Sequence, residues 1–105
     1  MTMPDSSNNP GHLLPLVIKL AMKKRKMLRL KYNDKDRLVK PLVLGRTKDD
    51  ELVLRVLEVN EETGHDTWKT FRIENIQGLS STEILFDPPA QPMTTGFTKI
   101  VFVTQ

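Results

Sequence analysis

The sequence predicts a mainly β domain, with one N-terminal helix packed on a small barrel of five or six strands. Three observations carry that expectation. Apolar residues at 13, 16, 17, 20 and 21 recur at helical spacing, and from residue 27 onward the repeat changes to two. Polar turn clusters then punctuate the chain at short intervals: "NDKD" at 33–36, "RTKDDE" at 46–51 and "EETGHD" at 61–66. A chain of 105 residues has room for one modest core, so these pieces belong to a single domain.

Each element has its own warrant. Residues 1–12, rich in Ser, Asn and Pro, are expected to form a disordered leader. The helix is predicted over 14–26. Pro15 suits its first turn, where the missing N–H costs nothing, and Lys23, Lys24, Arg25 and Lys26 place positive charge at the negative end of the helix dipole. The alternation of "MLRLKY" puts Leu28, Leu30 and Tyr32 on one face of a first strand and Arg29 and Lys31 on the other. "RLVKPLVLG" is a second strand, and Pro41 confines it to an edge, a bulge or a bend. "LVLRVLEVN" is a third, mixed enough to be buried on both faces over part of its length. Gly64 supplies the positive φ that the following turn can need. "TWKTFRI" is the fourth strand, with Phe71 and Ile73 on one face and Trp68, Thr70 and Arg72 on the other. "ENIQGL" fits a single 3₁₀ turn, and "SSTEILF" a fifth strand. The three prolines of "DPPAQPM" forbid helix and ladder alike, so a stiff connector leads to a sixth strand, "FTKIVFVT". That strand must pair in its own sheet or with another molecule.

Composition closes several classes of function. The chain has no cysteine, which excludes disulfides and thiolate metal sites. Its two histidines, His12 and His65, lack metal-ligand spacing and suit exposed loops. No nucleophile elbow, zinc-protease motif, paired catalytic carboxylates or glycine-rich phosphate loop is present, so no enzymatic role and no cofactor are expected. The acids of "DKD" and "DDE" fall in turns and suit solvated loops. A polar start without a basic or long apolar run points to a cytoplasmic protein without a membrane span.

Charge is unevenly distributed. Residues 19–48 hold twelve Lys and Arg against two acids, a local charge of +10, whereas the remainder carries −7. Such polarity predicts a positive side able to contact phosphates. Arg37, Lys69 and Arg72 are the candidate phosphate or base-edge contacts, and Trp68 and Tyr32 the candidate stacking partners. Two of them have a competing assignment: Tyr32 as packing beside Leu28 and Leu30, and Arg72 as an ion pair with an acid such as Glu58 or Glu74.

The order of these features resembles the WYL domain. "LVIKLAMKKRKMLRLKY" is similar to that family's opening, a basic amphipathic helix running into a strand that ends in tyrosine. Arg37, Val39, Pro41 and Leu42 of "RLVKPLVLG" resemble its second strand, and "KTFRIENI" its late Phe–Arg signature. The likeness covers about residues 14–86. Two positions depart from it: the name-giving Trp–Tyr–Leu falls at Leu52–Val53–Leu54, and Asn75 stands where the family has a basic residue. The resemblance implies an SH3-like, Sm-like barrel over 13–90, with 91–105 as a C-terminal extension strand. It also implies a bacterial or phage regulatory module that senses single-stranded nucleic acid or a nucleotide-like ligand. The alternative is a protein-interaction or oligomerisation domain, a homodimer or a partner complex, built through residues 93–105.

Overall fold

The structure, a computed structural model, describes residues 13–91 and 93–105; the expected leader, His12 and Pro92 lie outside them. One helix, α1 (Leu14–Lys24), is followed by β1 (Lys26–Tyr32), β2 (Lys35–Arg46), β3 (Leu52–Val59), β4 (Asp66–Arg72), a 3₁₀ turn (Ile73–Asn75), β5 (Gly78–Leu85) and β6 (Lys99–Val103). The protein is therefore mainly β, with six strands in one antiparallel sheet of order β4-β3-β2-β1-β5, and β6 joined to β2.

The sheet is open, and its pairing shows no closed barrel among the described residues. Closure would require a ladder between β4 and β5, and no such pairing occurs among the described residues. Instead the 3₁₀ turn carries the chain across the end of the sheet, and Gln77 N–H donates to the Lys31 carbonyl at 2.8 Å, delivering β5 directly to β1. The Gln77 side chain fastens the same corner. Its Nε2 donates to Asp34 Oδ1 at 3.0 Å, and its Oε1 accepts from Asp34 N–H at 2.7 Å.

The helix also buries a different face from the one expected. Leu14, Ile18, Ala21 and Met22 point inward, while Leu13, Leu16 and Leu20 are about half exposed. Both sets have helical spacing, and packing on the sheet selects between them. The helix ends at Lys24, two residues earlier than predicted, because Arg25 takes a left-handed conformation (φ 55°) that turns the chain into β1.

β2 organises everything else. Its register shifts between Pro41 and Val43, one of the irregularities that accommodate proline in a strand, and Leu42 and Val43 are buried together there. One edge of β2 pairs with β3 from Leu38 to Arg46. The other is divided: β1 takes Lys35–Val39, Thr104 donates its hydroxyl to the Pro41 carbonyl (2.7 Å) and its N–H to the Leu42 carbonyl (2.9 Å), and β6 takes Val43–Arg46. The apolar C-terminal strand is thus used within its own sheet.

Two cores result. Under the helix, Ile18, Met22, Leu28, Leu30, Val39, Leu44, Leu54, Val56 and Phe71 form the larger. The smaller joins Leu42, Val43 and Phe86 to Met27, Leu57, Trp68, Phe97 and Val103. The segment between β5 and β6 builds this second core, and Arg55 holds it in place. The Arg55 guanidinium donates to the carbonyls of Met93 (3.1 Å) and Thr95 (2.5 Å) and lies 4.8 Å from the centre of the Phe97 ring.

Candidate functional site

The five residues singled out on the sheet do not form one site, although hydrogen bonds link Arg37, Tyr32 and Arg72, and Arg37 and Lys69 line one groove. Arg37 is a bolt between strands. Its Nη1 meets Glu58 Oε1 at 2.8 Å, its Nε and Nη2 donate to the Tyr32 carbonyl, and its guanidinium lies 5.3 Å from the Phe71 ring centre. The two charged side chains are only 11% and 15% exposed, so Arg37 has little left to offer a phosphate. Tyr32 packs against Phe71 with ring centres 4.5 Å apart, and its hydroxyl accepts from Arg72 N–H at 3.4 Å. It takes the packing role that alternation with Leu28 and Leu30 had offered. Trp68 is half-buried in the smaller core, opposite Leu57 in the β3–β4 register. Lys69 is exposed, but the groove it lines also holds Asp36, Glu58, Glu61 and Glu62.

Arg72 opens onto a different cavity, and the acid beside it is Glu51, at 3.4 Å, rather than Glu58 or Glu74. That cavity, a cleft of about 590 Å³, lies where the start of α1 meets the β2–β3 turn and the 3₁₀ turn. Leu14, Pro15, Leu52, Ile73 and Ile76 give it an apolar lining. Around these stand Arg46, Arg72, Asp50, Glu51 and Glu74. Arg46 reaches the Asp50 carboxylate at 3.8 Å and its carbonyl at 2.9 Å. Glu74 makes no ion pair among the described residues. Arg46 is not among the residues expected at a site, because the composition around it reads as a turn, and Glu74 is expected only as an ion-pair partner of Arg72.

The expected division into a positive and a negative side is largely undone by folding. Four cations of the basic segment meet acids from the acidic remainder: Lys26–Glu83, Arg29–Glu61, Arg37–Glu58 and Lys40–Asp66. The Arg29 hydrogen bond and charge hold the Glu61 carboxyl below its ordinary pKa, and Glu61 in turn raises that of Arg29. Burial lowers the pKa of Arg55.

The cations without an ion pair among the described residues are spread between the helix and the rest of the chain, with Lys31, Lys35, Lys48, Lys69 and Lys99 off the helix. Lys19, Lys23 and Lys24 make no ion pair among the described residues. Two grooves flank the C-terminal half of α1. One, about 460 Å³, is lined by Met22, Lys23, Gln105 and residues 100–103 of β6; the other, about 220 Å³, by Val17, Leu20, Ala21, Lys24, Lys26 and Ser81. Neither lining contains an acid. Arg25 donates from Nε to the Gln105 carbonyl, so it belongs to the anchoring of the C-terminus.

Among the described residues no group of His, Cys, Asp and Glu could hold a metal ion, and no helix is long and apolar enough to cross a membrane. No family model, no curated protein and no solved structure matches the chain.

Proposed function

We propose that the protein is a non-enzymatic, WYL-like regulatory module that binds single-stranded nucleic acid or a nucleotide-like anion. The contact lies along the C-terminal half of α1 rather than on β4. One observation carries the reading: four cations of the sheet are matched to acids, whereas Lys23 and Lys24 have no ion pair among the described residues and line two grooves that hold no acid. Unmatched lysines gain most from a phosphate, because no internal partner has to be displaced and bound counterions are released. Lys23 and Lys24 supply the first contacts and Lys19 extends the track toward the start of the helix. With Tyr32 and Phe71 in the larger core and Trp68 packed in the smaller, aromatic stacking contributes little, so recognition rests on the backbone and is tolerant of base sequence.

Fluorescence anisotropy of labelled oligo(dT) at several salt concentrations tests this. Binding should weaken as salt rises. The double variant Lys23→Ala/Lys24→Ala should flatten the log–log salt slope by about 1.4, from ~0.7 per phosphate contact on a single strand. Arg72→Ala should leave binding unchanged. Undetectable binding at low salt, or a double variant that binds like the parent, would refute the proposal.

A further inference from the structure

We infer that the cleft at the start of α1 is a second, separate site, for a small zwitterion with an apolar side chain: an α-amino acid such as leucine or phenylalanine. The inference is independent of the nucleic-acid reading, which uses the opposite end of the helix.

Size and lining come first. At about 590 Å³ the cleft lies within the range of small-molecule sites, and Leu14, Pro15, Leu52, Ile73 and Ile76 offer an apolar side chain a dry surface. The larger core fixes that surface, since Leu14, Ile73 and Ile76 are themselves core residues.

Charge narrows the ligand class. Two guanidinium groups and three carboxylates surround the cleft, so neither a plain anion nor a plain cation finds every group complementary. Arg72 reaches Glu51 through a single 3.4 Å approach, on a side chain 55% exposed, and most of its donors stay available for a carboxylate to take in bidentate fashion. Arg46 is held to Asp50 at 3.8 Å, too long for a hydrogen bond between the charged groups. Glu74 has no ion-pair partner among the described residues and is the natural seat for an ammonium. A molecule with a carboxylate for Arg72, an ammonium for Glu74 and an apolar body between them satisfies the cleft as one unit. A nucleotide phosphate would crowd its charges against Asp50, Glu51 and Glu74.

Thermal unfolding of the intact protein with L-phenylalanine, phenethylamine and 3-phenylpropionate provides the test. Phenylalanine should raise Tm saturably, by at least ~4 °C at about five times its Kd, while each one-charge analogue binds at least tenfold more weakly. Arg72→Gln and Glu74→Gln, both at exposed positions, should each weaken phenylalanine binding about tenfold and leave oligonucleotide binding as it was. No saturable shift with phenylalanine or leucine, an analogue as effective as the amino acid, or variants that bind phenylalanine like the parent would overturn the inference. Loss of oligonucleotide binding in these two variants would also overturn it, by showing one site where two are claimed.

Discussion

Arg37 and Arg29 each face a glutamate from a distant part of the chain, yet their surroundings give them different weight. The Arg37–Glu58 pair is mostly buried and braced by the Tyr32 carbonyl and the Phe71 ring. Removing one partner strands the other charge away from water, which is far more costly than losing the attraction itself. Arg37→Ala should therefore lower stability by ~2–4 kcal/mol in urea unfolding. Replacing the pair together, Arg37→Met with Glu58→Leu, should recover most of the loss, because no unmatched charge is then left inside. Arg29→Ala should barely move the urea midpoint, since both members of its pair are exposed. NMR titration of that variant should show the Glu61 carboxyl returning upward toward its ordinary pKa, because the Arg29 hydrogen bond and charge hold it down. The candidate site was least legible at this scale. Alternation places Arg37 on a face, but only the β2–β3 register, which sets Val39 opposite Glu58, brings that glutamate within its reach. Nothing local to "RLVK" announces it.

At the level of elements, much of the fold could be read in advance, wherever one residue's own stereochemistry decides the matter. Pro41 restricted its strand to an edge, a bulge or a bend, and a bulge follows it; Gly64 adopts a φ of 77° in its turn; Asn33 and Asp34 both take positive φ to close the β1–β2 hairpin. What could not be read depended on contacts distant in sequence. The apolar spacing pointed to the face of Leu13, Leu16, Val17 and Leu20, and the sheet took instead the one carrying Leu14, Ile18 and Met22. The destination of β6 was equally open, and Gly45 is a large part of the answer. A Cβ there would fall on the Lys99 carbonyl oxygen and 2.7 Å from the Phe97 ring. Only glycine lets β6 and the segment before it lie so close to β2. Gly45→Ala should cost ~1–3 kcal/mol, the usual penalty for overfilling a packed site. The damage should be local first: hydrogen exchange at residues 99–103 should accelerate more than exchange in β1 or β3.

Across the whole molecule, β2 makes two cores into one cooperative unit. Val39 and Leu44 contribute to the core under the helix, while Leu42 and Val43 contribute to the core beneath the β5–β6 segment. The Pro41 bulge permits this sharing, because without the extra residue strict alternation would set Leu42 and Val43 on opposite faces. A loss on one side should then propagate through the strand to the other. Two natural probes report the two sides separately: Trp68, the only tryptophan, sits in the smaller core, and α1, the only α-helix among the described residues, covers the larger. In urea, Trp68 fluorescence and far-UV circular dichroism at the helix band should give coincident transitions. Leu44 is fully buried in the larger core, so Leu44→Ala should destabilise the protein by ~2–5 kcal/mol, the span for truncating a packed leucine. Both probes should shift together, although Leu44 belongs to the core that Trp68 does not join. A tryptophan midpoint that stays at the parent value while the helix signal moves would mean that the two cores unfold independently, and that β2 joins them in space without coupling their stability.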